Sequence, residues 1–345
     1  MRRSGTSRFG FCLLLFLCAC FLPAQVDEVH KAEYRQELAQ ADRALQDRDY
    51  ELAREHYERA NVFAREHSVA ALRGMAWANL RLEHPEKALE NAQAALSLAA
   101  NDTERGDLHN LTGAILFSEY VADKKQTSKL LVSEAEFRSA IQMNPALSGA
   151  YFNLGTALLK DRKDAEGVKM LQKYLELTPD AANTSQVRRL IGDPRLSRGE
   201  LAPNFTLQDT QGHAISTESL HGRVVLLDFW ATWCGPCIAS LPEIRKLARQ
   251  FPADQFVLIG VNEDEDVDAW RKFMAKEDMP WPQSRDQNWD LFHNFGLAPE
   301  RKLVVPAYVV LNGDGIVLQK IRGLEDASSL AAQIEAALEA APGRR

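Results

Sequence analysis

The stretch from Val224 to Phe251 constrains the fold of this chain more than any other. Val224-Val225-Leu226-Leu227-Asp228-Phe229-Trp230 is β-branched, aliphatic or aromatic apart from one aspartate. That is the pattern of a strand covered on both faces. After Trp233-Cys234-Gly235-Pro236-Cys237, apolar residues recur at Ile238, Leu241, Ile244, Leu247, Ala248 and Phe251, a helical spacing. The two cysteines therefore sit where a central strand passes into a helix.

That position favours redox chemistry. Cys234 falls at the helix N-terminus, where unpaired N–H groups and the macrodipole stabilise an anion. A thiolate is the attacking species in disulfide exchange, so Cys234 reads as the nucleophile. Cys237, one turn further in, is expected to be more buried and to resolve the mixed disulfide. Pro236 suits a first helical turn because it has no N–H to leave unpaired. The bland readings are a structural disulfide and half of a zinc site. A four-thiolate zinc site needs a second pair of cysteines. The others are Cys12, Cys18 and Cys20, all in the N-terminal apolar leader. No metal or organic cofactor is expected.

The run Asp228-Phe229-Trp230-Ala231-Thr232-Trp233-Cys234-Gly235-Pro236-Cys237 resembles the active site of the thioredoxin superfamily. Upstream, Leu201-Ala202-Pro203-Asn204-Phe205-Thr206-Leu207-Gln208-Asp209, Gly212 and Leu220-His221-Gly222-Arg223-Val224-Val225-Leu226 resemble its TlpA/ResA-like branch of extracytoplasmic thiol-disulfide oxidoreductases. The resemblance covers residues 199–341. It implies that Asp228 lies behind Cys237 with a raised pKa and shuttles a proton for the resolving thiol. Many TlpA-like proteins have asparagine there, so Asp228 leans towards thioredoxin proper. It also implies that Pro306 follows a cis bond in a loop facing the cysteines, with the Val305 backbone free to pair with a substrate strand. Trp233, Gly235 and Pro236 complete the motif. The Gly235-Pro236 dipeptide matches thioredoxin and leans towards reducing chemistry. One departure stands out: the branch commonly has an acid three residues after the second cysteine, and here that place is Ser240, followed by Pro242.

The chain has 345 residues, 46% of them hydrophobic, enough for two domains with cores. Its net charge of −7 makes it a poor nucleic-acid binder. Residues 1–24 read as a secretory signal or lipoprotein leader: Arg2 and Arg3, then a nearly unbroken apolar run from Phe9 to Leu22, then Pro23-Ala24. The run is short for a membrane span. Two processing routes compete, with an uncleaved anchor as a third outcome. Leu22-Pro23-Ala24 offers ordinary cleavage, which is slightly favoured. Leu17-Cys18-Ala19-Cys20 resembles a lipobox, with Cys20 as the lipidated residue. Either route gives a periplasmic or cell-envelope protein, where a dithiol meets oxidised partners.

From residue 30 to 180 the composition and apolar spacing are helical, and the segment repeats. Ala41, then Asp49-Tyr50-Glu51-Leu52-Ala53 with Tyr57 and Ala60, is followed about one repeat later by Ala76, Ala88 and Ala95. Leu111, Gly113 and Ala114 with Phe137, Ala140 and Pro145 make a third unit, with an insertion around 118–133. Tyr151-Phe152-Asn153-Leu154-Gly155 and Ala157, with Gly167, Leu171, Tyr174 and Pro179, make a fourth. The pattern resembles tetratricopeptide repeats, whose period is about 34 residues. The resemblance implies a solenoid whose concave face takes a peptide or protein ligand. His56 and His67, eleven apart, fit one helix face but read as surface histidines rather than metal ligands.

Residues 181–198 read as a linker carrying one short helix at 187–191. Beyond it, hairpin, strand and helix signals alternate. They run through a hairpin around 209–212, a strand at 256–261, helices at 267–276 and 288–295, a hairpin across Asn312-Gly313-Asp314-Gly315, and a last helix at about 326–340. The expected architecture is an all-α solenoid at 30–180 followed by an α/β thioredoxin-like domain at 199–341, a mixed sheet with helices on both faces. The expected activity is thiol-disulfide exchange with protein substrates, reducing in direction, with a membrane-bound electron donor. Two other functions are weighed. One is a repeat-based adaptor with a regulatory redox module. The other is a thiol peroxidase, for which the Ala202-Pro203-Asn204-Phe205 entry and Thr232 are the cues.

Overall fold

The computed structural model describes residues 30–297, 303–323 and 327–340. The leader and Cys20 lie outside the described residues.

The first part is helical: α1 (Lys31–Gln46), α2 (Tyr50–Phe63), α3 (Val69–Arg81), α4 (Pro85–Leu98), α5 (Asp102–Ala122), α6 (Thr127–Met143), α7 (Ser148–Lys160), α8 (Asp164–Leu177) and α9 (Thr184–Gly192). Each helix packs on the next in chain order, most closely within α1/α2, α3/α4, α5/α6 and α7/α8. Small side chains allow this. Ala41, Ala53, Ala60, Ala76, Ala88, Ala95, Ala140 and Ala157 are wholly buried. A Cβ on Gly113 would come within 2.6 Å of the Phe137 ring, so α5 and α6 meet there without one. Asp49, Ser68 and Asn101 cap α2, α3 and α5, each accepting a backbone N–H three residues on. The extra length around 118–133 is helix: α5 and α6 run to 21 and 17 residues and extend one hairpin. The expectation that His56 and His67 share a helix face fails, because α2 ends at Phe63. His56 Nδ1 instead lies 2.6 Å from the Glu37 carboxylate.

The stretch read as a linker is largely ordered. Val187 and Leu190 of α9 join Leu159 and Leu171 in one apolar cluster. A 3₁₀ turn follows at Pro194–Arg198. Lys160 Nζ donates to Ser197 O at 2.7 Å, and Arg198 reaches both Asp164 oxygens at 2.7 and 2.9 Å.

The second part opens with the antiparallel ribbon β1 (Thr206–Gln208) and β2 (Ala214–Ser216). A five-stranded mixed sheet follows, in the order β5-β4-β3-β6-β7. Its strands are β3 (Val224–Trp230), β4 (Phe256–Asn262), β5 (Gln283–Arg285), β6 (Ala307–Leu311) and β7 (Val317–Arg322). β3, β4 and β5 run parallel, while β6 and β7 are antiparallel additions. The strand β3 is central and buried at every position. One face carries α10 (Gly235–Gln250), α11 (Val267–Met274) and α13 (Ala327–Glu339); the other carries α12 (Asp290–Asn294). The short strand β5 was not foreseen: its residues Gln283-Ser284-Arg285 are polar and follow Pro280 and Pro282.

Candidate active site

The carboxyl end of β3 gathers the residues singled out in the sequence. Cys234 is the N-cap of α10 and is joined to Cys237 by a disulfide. Its Sγ also accepts the Cys237 N–H at 3.1 Å. This amide belongs to the first turn, where backbone donors have no partner within the helix. The same contact in the reduced protein stabilises a thiolate at Cys234. The expected difference in burial is not seen: Cys234 is 4% and Cys237 3% exposed. Both sulfurs belong to the core beneath α10, and the solvent-facing part of the motif is carried by their neighbours. Gly235 and Pro236 are exposed, and Trp233 is 62% exposed.

Strand alternation places Asp228. Val224, Leu226 and Trp230 point into the cluster that holds both cysteines, whereas Val225, Leu227 and Phe229 point to the opposite face. Asp228 shares the parity of the first set. Its residue is 4% exposed, and burial pushes its carboxyl up to about 7.

Register places the proline loop. Ala307 of β6 pairs with Phe229, so Pro306, one residue earlier, is level with Trp230 at the cysteine end of β3. The Val305–Pro306 bond is cis, and Val305 packs against the clusters on both faces. Ser240, standing where an acid was expected, donates its hydroxyl to Cys237 O at 2.9 Å. Pro242 lies inside α10.

Three acidic residues near this end were passed over in the sequence. Asp264 accepts from Thr232 N and from Thr232 Oγ1. Glu263 is buried, and its carboxyl shares a hydrogen bond with the Asp286 carboxyl. Burial first, then the Asp286 charge, pushes it up to about 10. Asp286 accepts from Leu291 N and Phe292 N at the start of α12. The available cue was the acidic run Glu263-Asp264-Glu265-Asp266 directly after a buried strand. Among the described residues, no group of three or more His, Cys, Asp and Glu side chains is arranged to hold a metal ion.

Residues 197–338 match the Redoxin family model. The chain is 30% identical to the thiol-disulfide oxidoreductase ResA of Bacillus subtilis over 132 residues, 38% of this chain and 71% of that protein. It is 28% identical to ResA of Bacillus thuringiensis over 131 residues, 38% of this chain and 73% of that one. Among solved structures, the thioredoxin domain of a thiol-disulfide oxidoreductase from Bacteroides vulgatus aligns at 26% identity and a TM-score of 0.34, over 40% of this chain and 95% of the other.

Proposed function

Because this chain belongs to the ResA-like thiol-disulfide oxidoreductases, we propose that Cys234 and Cys237 are its exchanging pair and Asp228 their proton acceptor. The chain is a thioredoxin-like oxidoreductase acting on protein thiols or disulfides. In the proposed reaction the Cys234 thiolate attacks a substrate disulfide. The substrate S–S bond breaks, a Cys234–substrate bond forms, and one substrate sulfur leaves as a thiolate that takes a proton from solvent. Cys237 then gives its proton to the Asp228 carboxylate and attacks Cys234 Sγ. The second substrate sulfur leaves, and the Cys234–Cys237 disulfide closes. The substrate gains two electrons and the dithiol loses two, so an electron donor must restore it. The observation that carries this reading is the placing of Cys234 as N-cap of α10, its sulfur on the Cys237 N–H, with a buried carboxylate on the same face of β3.

The finer parts of the reading are these. The protein works in the reducing direction, supported by the Gly235-Pro236 dipeptide, and draws on a membrane-bound donor. It is exported by its leader, with Cys20 the lipidated residue if the lipobox is used. No helix among the described residues is long and apolar enough to cross a membrane. The helices from 30 to 180 form a tetratricopeptide solenoid that recruits the substrate protein, 181–198 links it to the redox domain at 199–341, and the loop at Val305 and Pro306 receives the substrate beside Trp233. The buried alanines at successive helix contacts support the repeat reading.

Reduction of a protein disulfide such as those of insulin tests the core of this. Cys234→Ser should abolish it, and Cys237→Ser should accumulate a mixed disulfide visible by mass spectrometry. Full activity in Cys234→Ser would contradict the reading and leave the helices as the working part. Equilibration in defined dithiothreitol buffers tests direction. A potential near that of thioredoxin, about −270 mV, fits a reductant, and one near about −120 mV fits an oxidant.

A further inference from the structure

We propose that Asp264 is a positioning residue for the exchange reaction: by clamping Thr232 it holds the Cys234 sulfur against the Cys237 N–H. The proposal rests on the reading of Cys234 as the nucleophile.

Between the end of β3 and the start of α10 the chain crosses Ala231–Cys234 without a neighbouring strand. Its placing depends on a few ties. Trp230 O accepts Glu263 N at 2.8 Å, and Cys234 N donates to Ala231 O at 3.1 Å. Between them, Thr232 N lies 3.0 and 3.2 Å from the two Asp264 carboxylate oxygens, and Thr232 Oγ1 donates to one of them at 2.8 Å. Asp264 is itself fixed and nearly fully buried. Asn262 Nδ2 donates to its other oxygen at 2.6 Å, and Asn262 Oδ1 accepts its N–H at 3.1 Å. Arg285 Nε, from the neighbouring strand β5, donates to its carbonyl at 2.9 Å. Both carboxylate oxygens are thus used, and the loop two residues before Cys234 is anchored through β4 to β5. Hydrogen bonds to an ionised carboxylate are stronger and shorter than neutral ones, so this tie is stiff.

The charge alone would act in the wrong direction. A carboxylate beside an attacking thiol disfavours the thiolate by Coulomb repulsion. Its value to the reaction is geometric, and the two effects have opposite signs on the Cys234 pKa. Losing the clamp lets the sulfur drift off its amide and raises that pKa. Losing only the charge lowers it.

The test uses the full-length reduced protein. The Cys234 pKa is read from thiolate absorbance against pH, and kcat and KM are measured with a disulfide-bonded protein substrate. Asp264→Ala and Thr232→Ala should both raise the pKa and lower kcat by between about tenfold and a hundredfold, with KM little changed. Asp264→Asn, which keeps an acceptor for Thr232, should recover most of kcat. The proposal is overturned if both Asp264 variants lower the pKa alike, which would mean a charge effect. It is also overturned if the variants lose thermal stability while pKa and kcat stay at the parental values. Should Asp264→Ala not fold, Thr232→Ala carries the same readouts. Cys234→Ser keeps the two claims apart: if it stays active, the nucleophile assignment fails, whatever the clamp does.

Discussion

The two halves of this chain treat a buried carboxylate differently. In the helical half Glu134 of α6 is 4% exposed, and Lys163 Nζ sits 2.8 Å from its Oε2. Burial raises its pKa, the lysine offsets only part of the rise, and Glu134 Oε1 has no hydrogen-bond partner among the described residues. In the redox half Asp228 is as deeply buried, and desolvation raises its pKa with no offsetting cation among the described residues. The Glu263 pKa is raised further by burial and by the like charge of Asp286, with which it shares a hydrogen bond. A buried charge is costly unless paired. The helical half meets part of that cost with Lys163, so its acid reads as structure. The redox half gives Asp228 no such offset, at the end of the sheet that carries the cysteines, where the proposed reaction moves a proton. The cores differ in the same sense. Alanines at helix contacts build the first from neighbours in sequence, whereas Phe229, Trp230, Tyr308 and Phe292 build the second from strands and a helix far apart in the chain.

The largest stability effect that would break this comparison is at Asp228. Its folded pKa of about 7 lies above the ordinary 3.8. The folded state therefore keeps a proton that the unfolded chain releases. The stability this gives is complete below about pH 4 and falls away as pH rises to about 7. Asp228→Asn should accordingly be more stable than the parent by a few kcal/mol at pH 8, with the gap closing near pH 4. Urea unfolding at both pH values reads this. No gain at pH 8 would mean that Asp228 has a compensating partner after all. Next in size, Gly113→Ala should cost about 1–3 kcal/mol by driving a methyl into the Phe137 ring, without changing the rate of disulfide exchange. A loss of exchange activity would show that the halves are less separable than their cores. Smallest is Lys163→Met, which strands Glu134. Because Lys163 is itself partly exposed, about 1 kcal/mol is expected. Adding Glu134→Gln should restore most of it if pairing is the whole of that acid's role.

Much of this was legible in the sequence, for physical reasons that differ by element. The strand β3 and helix α10 announce themselves because a continuous apolar run and a 3.6-residue spacing are local properties. The place of Asp228 was legible only through the resemblance to thioredoxins; its parity with Leu226 and Trp230 is seen in the structure. The pairing of helices from Lys31 onward was visible in the spacing of alanines. What escaped depends on partners distant in the chain. The strand β5 is three polar residues made into a strand only by β4 beside it. The clamp between Asp264 and Thr232 exists because β3 and β4 end in register, with Trp230 opposite Asn262. No spacing rule joins residues 32 apart. The near-equal burial of Cys234 and Cys237 likewise reflects how the core closes beneath α10, which a helix-turn argument does not contain.

The contrast between the halves stands or falls on whether the uncompensated acid moves a proton. The direct measurement is the rate at which Cys237 resolves a preformed Cys234 mixed disulfide, followed from pH 5 to 9 in the parent and in Asp228→Asn. The account expects the parent rate to rise through a limb near pH 7, where Asp228 becomes an ionised base, and expects Asp228→Asn to be slower and to lack that limb. An unchanged profile in Asp228→Asn would contradict it and return Asp228 to the status of a tolerated buried acid.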